Sequence, residues 1–157
     1  YMEPEDIKAV LKIYGEAICR EDVTLVTVIP SWEDWDKEHD PCCRYVARID
    51  ENTVGFLVLR KIGEMPLSGK YLGEISIYVD KNYRKRGIGL SLLKRAVKES
   101  GFWGYAILRS RIFPENHASI ALHQKAGFHM TCYRTNAAQK NGSWRDVCVF
   151  ERRSMLF

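Results

Sequence analysis

Apolar positions recur with two different periods along the chain, and each change of period marks a predicted element. A spacing of three to four residues predicts helices. Pro4 and two acidic residues favour the start of the first helix, and Ser31 is a suitable cap for the second. Asn116 near the start and Gly127 at the end frame the last one. The predicted helices cover residues 3–18, 30–39, 87–100 and 115–128.

Alternation with a period of two predicts the strands between these helices. The clearest example is residues 73–79, where isoleucines and a valine share one face and a glutamate, a serine and a tyrosine share the other. Asn141-Gly142 is a strong signal for a hairpin turn. Glycines and a proline predict a loop over residues 63–69. The predicted strands cover residues 44–50, 53–61, 73–79, 105–112, 129–138 and 144–151.

The order of the predicted elements is two helices, three strands, a helix, a strand, a helix and two strands. We find no internal repeat and no linker, and 157 residues are enough to bury a core. The sequence therefore predicts one α/β or α+β domain over residues 1–157, built on a mixed sheet.

Composition and charge narrow the possible partners. The net charge of +4 is mild, and aromatic residues are not interleaved with the basic run, so we predict no nucleic-acid partner. No apolar run reaches the roughly 18 residues of a membrane span, and we expect neither a signal peptide nor a membrane partner. Five cysteines without paired spacing indicate reduced thiols in a cytoplasmic protein. His39, Cys42 and Cys43 match no common metal spacing, so we predict no metal.

A basic turn over residues 84–90 joins a predicted strand to a predicted helix. A helix start leaves backbone N–H groups unpaired and carries partial positive charge. Glycines let a ligand approach the backbone closely, and three consecutive cations add formal charge. The turn is therefore a candidate phosphate site. By itself the signal is weak, because no complete nucleotide-binding motif is present, and a solvated basic turn is an equal alternative.

Three separated motifs, "YV…YRKRGIG", "PENHASIALHQKAGF" and "NGSWRDV…ER", occur in order along the chain. Together they resemble the GNAT superfamily of N-acetyltransferases and, within it, the phosphinothricin acetyltransferase-like branch. The resemblance covers residues 43–152. It implies a mixed, mostly antiparallel sheet that is splayed where acetyl-CoA enters and carries helices on both faces.

The resemblance also implies how acetyl-CoA, the co-substrate, would be held. Backbone amides of the turn would hold its pyrophosphate, and the preceding strand would pair with its pantetheine arm. Asn116 would contact that arm or organise the neighbouring loop. The cofactor-binding residues implied in this way are Ile77, Tyr78, Val79, Arg84, Lys85, Arg86, Gly87, Ile88, Gly89, Leu90, Asn116 and Ser119.

Acetyl transfer to an amine needs a neutral amine, a hydrogen-bond donor for the carbonyl oxygen and a proton for the departing thiolate. Glu74 matches the glutamate of the family's E-S-x-V-Y-V segment and is the predicted general base; the alternative is a solvated strand-end glutamate. An amide near Val79 is the candidate donor. His123 is predicted to protonate the thiolate, with a packed histidine as the alternative and with Tyr78 and Tyr133 as weaker candidates.

In the segment that would shape the pocket for the acceptor amine, the sequence differs from the motif of the phosphinothricin acetyltransferase-like branch. Where its members carry R-x-A-Y-x-x-T-x-E, this chain reads "PLSGKYLGE", with Pro66 in place of the arginine. Candidate substrate-binding residues are Tyr71, Trp144 and Asp146. A tryptophan packed in the core and an aspartate that pairs across strands explain the last two at least as well. Two tryptophans in residues 30–39 either line the acceptor pocket or pack on the sheet.

The predicted function is therefore acetyl-CoA-dependent N-acetylation of a small-molecule amine, such as an amino acid or an amino-acid analogue. Two alternatives stay open: a protein or peptide N-acetyltransferase, and an acyl-CoA-binding module without turnover. The resemblance and the apolar residues "SMLF" near the end of the sequence also leave open that the protein forms a homodimer.

Overall fold

The computed structural model describes all 157 residues, and its elements follow the predicted order. The helices are α1 (Ile7–Ile18), α2 (Trp32–Glu38), α3 (Ile88–Ser100) and α4 (His117–Lys125). The strands are β1 (Arg44–Ile49), β2 (Asn52–Met65), β3 (Lys70–Val79), β4 (Tyr105–Ile112), β5 (His129–Lys140) and β6 (Ser143–Arg153). None of the helices combines the length and the apolar character that crossing a membrane requires.

The sequence predicts a loop from Gly63 and a third strand that begins only at Gly73, and both boundaries are wrong. β2 continues to Met65, which pairs with Lys70, the first residue of β3. The register of this pairing shifts between Lys61 and Gly63, and a glycine is typical of such an irregularity because it lacks a side chain to pack. The turn between the two strands is thus confined to residues 66–69.

The six strands form one sheet in the order β1-β2-β3-β4-β6-β5. Only β3 and β4 are parallel, and the other neighbours are antiparallel. The pairing of β3 with β4 ends at Glu74 and Arg109, although β3 continues to Val79 and β4 to Ile112. The two strands therefore diverge beyond Glu74, and the prediction of a mixed, mostly antiparallel, splayed sheet is confirmed.

Helices cover both faces of this sheet, as predicted. Residues 54–59 of β2 are all buried, since alternate side chains enter two different cores. Phe56 and Val58 pack with α1 and α2, whereas Leu57 and Leu59 pack with α3. A continuous apolar run in the sequence is the expected signature of such a central strand.

Two helix caps predicted from the sequence are confirmed. The hydroxyl of Ser31 accepts a hydrogen bond from the Asp34 amide at the start of α2. The side-chain oxygen of Asn116 accepts one from the Ser119 amide, at 3.2 Å, and so begins α4. The Asn116 cap fixes the start of α4 beside the opening between β3 and β4.

Candidate active site

A cavity of about 900 Å³ lies where β3 and β4 diverge. Its wall on one side comes from the C-terminal half of β3, the basic turn, α3 and α4. On the other side it comes from α1, α2 and the segment between them. The cavity therefore joins the basic turn to a second part lined by α1, α2 and the segment between them, which we call the α1–α2 end, in one continuous space.

The basic turn has the backbone shape of an anion-binding loop. Lys85 and Gly87 both have a positive φ, of 61° and 78°. The first hydrogen bond of α3 runs from the Ser91 amide to the Gly87 carbonyl, so the amides before Ser91 have no partner within the helix. Unpaired amides and a helix start favour negative charge at this position.

Most of the predicted cofactor residues line the cavity, and one does not. Arg86 lies outside it, with its guanidinium 5.1 Å from the centre of the Tyr83 ring. Arg84 folds back over the end of β3 and donates from Nε to the Val79 carbonyl at 3.3 Å; burial lowers its pKa below the usual range. The predicted residues that line the cavity are Ile77, Tyr78, Val79, Arg84, Lys85, Gly87, Ile88, Gly89, Leu90, Asn116 and Ser119.

Glu74 lies at the apex of the opening and is held by two arginines. Its Oε1 accepts from Arg60 Nη2 at 2.7 Å and from Arg111 Nη2 at 2.9 Å, and its Oε2 accepts from Arg111 Nε at 2.8 Å. A carboxylate offers about four acceptor positions, so one position on Oε2 is free for an amine or a water. The side chain is 12% exposed, and the three groups together carry a net charge of +1.

His123 lies on α4 and is buried, with its ring edge-on to Phe128. Its Nδ1 is 2.8 Å from the Ser119 carbonyl oxygen, which only accepts, so we assign the ring proton to Nδ1. Nε2 is buried without a hydrogen-bond partner, and burial lowers the pKa of the ring. The resting ring is thus neutral, and Nε2 can accept a proton but holds none to donate.

The α1–α2 end contains His39 and Tyr14, for which sequence reasoning gave no role. His39 has the same arrangement as His123: its Nδ1 is 2.7 Å from the carbonyl of Trp35, four residues earlier, and burial lowers its pKa. Trp35 is buried in the core against the sheet and also borders the cavity. Tyr14 lines the same end, and burial raises its pKa, which keeps the phenol protonated.

Three predicted substrate residues lie outside the cavity. Tyr71 packs against Tyr105, under the ammonium of Lys61. Trp144 is 60% exposed on β6. Asp146 accepts from the Tyr133 hydroxyl at 2.8 Å and from the Asn136 amide at 2.9 Å, so it organises the β5–β6 hairpin. This bond also places Tyr133 away from the cavity, whereas Tyr78 lines it.

The sequence matches known proteins over much of its length. A sequence model of the acetyltransferase (GNAT) family matches residues 9–128. The L-amino acid N-acyltransferase of Escherichia coli (strain K12) is 34% identical over 78 residues, which are 50% of this chain and 45% of that protein. The chain thus spans about half the length of that relative.

Solved structures share the fold. The structure of an N-acetyltransferase from Staphylococcus aureus Mu50 has a TM-score of 0.83 and 30% identity, over 97% of this chain and 94% of that chain. A GNAT superfamily phosphinothricin acetyltransferase from Sinorhizobium meliloti, in complex with acetyl-CoA, has a TM-score of 0.84 and 22% identity, over 98% of this chain and 85% of that chain. At that identity the second likeness concerns the fold alone.

Proposed function

The chain belongs to the acetyltransferase (GNAT) family, and from this premise we propose that it transfers the acetyl group of acetyl-CoA to the amine of a small molecule. The observation that carries the proposal is the single cavity that links the basic turn to Glu74. An amino acid or an amino-acid analogue is the proposed acceptor, because the E. coli relative is named an L-amino acid N-acyltransferase.

The residues of the turn fit acetyl-CoA. The amides around Gly87 and the cations Arg84 and Lys85 would hold its phosphates, and residues 77–79 of β3, unpaired with β4, would hold its pantetheine arm. The bound co-substrate supplies the thioester carbonyl that the amine attacks. An unpaired strand amide near Val79 would donate a hydrogen bond to that carbonyl oxygen while it carries charge.

Glu74 is the proposed general base. Its free position on Oε2 would accept a proton from the acceptor amine, directly or through a water. Arg60 and Arg111 fix the carboxylate between them, so its orientation does not depend on the substrate. As the C–N bond forms and the C–S bond breaks, the amine proton passes to Glu74 and the electron pair of the C–S bond remains on sulfur.

His123 is the proposed partner of the departing thiolate. Because the resting ring holds no proton on Nε2, we propose that Nε2 takes up a proton from water in the cavity and passes it to the sulfur, and that the proton which Glu74 takes from the amine neutralises the hydroxide left behind. Burial lowers the pKa of the ring, so the imidazolium would be a transient acid that gives its proton to the more basic thiolate. Tyr78 is the alternative donor, because it lines the cavity and its phenol is protonated at neutral pH.

The first experiment measures the release of CoA thiol from acetyl-CoA with a panel of amines. The panel holds free amino acids, methionine sulfone, methionine sulfoximine, phosphinothricin, polyamines and short peptides. Release with free amino acids or their analogues supports the proposal, whereas release with peptides alone supports the protein or peptide acetyltransferase. Thermal stabilisation by acetyl-CoA without release from any amine would support the non-catalytic acyl-CoA-binding module.

Two accompanying expectations concern the protein as a whole. Five free cysteines are typical of a reducing compartment, so the cytoplasm remains the proposed location. A homodimer remains a prediction, and sedimentation velocity of the purified protein would test it.

A further inference from the structure

One wall of the cavity is a segment without regular structure. We define the wall loop as residues 19–31, which connect α1 to α2. It borders the α1–α2 end of the cavity, beside Tyr14 and Trp35. With acetyl-CoA at the basic turn, this end is the one left for the acceptor amine, and we call it the acceptor end. The members of the wall loop that line the cavity are Arg20, Val23, Thr24, Leu25, Val26 and Pro30.

The β5–β6 hairpin, more than a hundred residues away in sequence, holds the start of this loop. Lys140 Nζ donates to the Arg20 carbonyl at 2.6 Å, and Lys140 is only 3% exposed although it forms no salt bridge. A lysine is almost never buried so completely without a charged partner. Its position therefore indicates a specific task, which is to bind the backbone of the wall loop.

A second residue of the hairpin binds the next position of the loop. Arg145 Nη1 donates to the Glu21 carbonyl at 2.8 Å, and the Glu21 carboxylate lies 3.7 Å from the same nitrogen. Asn141 adds a bond from its side-chain amide to Glu21 Oε1 at 3.0 Å. Two successive carbonyls of the wall loop, those of Arg20 and Glu21, are thus bound by two cationic side chains.

Arg145 also reaches a different wall of the cavity. Its guanidinium carbon lies 4.3 Å from the centre of the Phe113 ring, and its Nη2 lies 3.4 Å from Glu115 Oε2. Phe113 lines the cavity, and Glu115 directly precedes Asn116, the cap of α4. Arg145 therefore connects the wall loop with the segment between β4 and α4.

We propose that Lys140 and Arg145 are positioning residues that hold the wall loop at the acceptor end and so set the affinity for the acceptor amine. Neither residue touches Glu74 or the basic turn in the structure. The side chain of Lys140 bonds to the Arg20 carbonyl alone, whereas Arg145 also reaches Glu115 beside Asn116, so Lys140 is the residue on which the chemical step and the cofactor should not depend. The inference rests on the proposed function, because it assigns this end of the cavity to the acceptor.

The test compares Lys140→Met and Arg145→Gln with Gln139→Ala as a matched control. Gln139 is the exposed neighbour of Lys140 on β5. Methionine keeps the length of the lysine stem without its charge and suits a buried position, so folding should persist. With the best acceptor of the wild type, we expect the KM for the amine to rise about tenfold, as the loss of one charge-assisted hydrogen bond implies. In Lys140→Met the kcat and the KM for acetyl-CoA should be unchanged. In Arg145→Gln, which also loses the contact with Glu115 beside Asn116, the KM for acetyl-CoA should rise less than the KM for the amine.

Amide hydrogen exchange of residues 19–31 gives a second readout that does not need an acceptor. Both variants should speed up exchange in the wall loop, whereas Gln139→Ala should leave it as in the wild type. Unchanged exchange, or faster exchange with an unchanged KM for the amine, would overturn the inference while the proposed function stands. A wild type that acetylates no amine would refute the proposed function, and with it the link to acceptor affinity; the exchange data would then decide alone whether the hairpin holds the loop.

Discussion

Replacement of Glu74 by glutamine tests the core of the proposed mechanism. The change keeps the size of the side chain but removes the charge that two guanidiniums share. It also puts an amide N–H donor where Arg60 or Arg111 now donates, so that at least one of the three hydrogen bonds, of 2.7 to 2.9 Å, is lost. Both the proton acceptor and the local ion pairs are therefore perturbed.

The size of each effect follows from the structure. The two arginine side chains are 40% and 46% exposed, so solvent screens their pairs with Glu74. Each such pair contributes about 0.5 to 1 kcal/mol, and the loss of both costs about 1 to 2 kcal/mol. For a domain of this size that lowers Tm by about 2 to 8 °C. Loss of a general base lowers the rate far more, by about 100-fold to 10,000-fold.

The assay follows CoA thiol release at neutral pH with the acceptor found in the amine panel. Thermal unfolding and the affinity for acetyl-CoA are measured on the same samples. Glu151→Gln is the matched control, because Glu151 pairs with Arg109 at 2.7 and 2.8 Å outside the cavity. We expect the fall in Tm of Glu151→Gln to be about half that of Glu74→Gln, because one arginine pair is lost instead of two, and we expect a loss of kcat/KM only from Glu74→Gln.

The reasoning would be refuted if kcat/KM fell no further in Glu74→Gln than in Glu151→Gln. In that case the amine would lose its proton to another group, and Glu74 would have a structural role between the two arginines. A weakened affinity for acetyl-CoA in Glu74→Gln would contradict a second part of the reasoning, which places this carboxylate away from the cofactor turn.

Three further changes test other parts of the structure. Gly87→Ala puts a Cβ on a residue with φ of 78°, which costs about 1 to 2 kcal/mol, and calorimetry should show weaker binding of acetyl-CoA. Gly73→Ala puts a Cβ 2.7 Å from the buried Tyr105 ring and should lower the free energy of unfolding in urea by about 1 to 3 kcal/mol. Because burial lowers the pKa of His123, the unfolded chain binds more protons below about pH 6.5; stability should fall with pH there, and less so in His123→Asn.

Each of these three predictions would be contradicted by one particular result. Normal acetyl-CoA affinity in Gly87→Ala would mean that the amides of the turn do not bind the phosphates. Unaltered stability of Gly73→Ala would show that Tyr105 can move away. An identical loss of stability with falling pH in His123→Asn and the wild type would mean that this ring is not buried in its neutral form.

The fold was largely predictable because its signals are local. Each helix and strand keeps its own hydrophobic period, and Ser31 and Asn116 cap helices through neighbours three residues away. Gly63 was missed for the opposite reason. Whether a glycine ends a strand or lies at an irregularity within it depends on the partner strand, which a local pattern does not contain.

The site was predictable where a motif spans contiguous residues and not where it is assembled from distant ones. The basic turn and Glu74 lie in one stretch of sequence, but Arg60 and Arg111 reach Glu74 from 14 and 37 residues away. Alternation placed Trp144 and Asp146 on one side of a strand without indicating which side the cavity occupies. Arg145, between them, is the residue that contacts two walls of the cavity.

The short pairing of β3 with β4 has a mechanical consequence. Four residue pairs, from Tyr71 to Glu74 on β3, are the only link within the sheet between β1-β2-β3 and β4-β6-β5. We expect this seam to act as a hinge with Glu74 at its pivot. Val79 lies about 16 Å farther along the strand, so a small rotation would widen the opening between β3 and β4 while Glu74 stayed beside Arg111. We expect acetyl-CoA to slow amide exchange in residues 75–79 and to leave residues 71–74 unchanged.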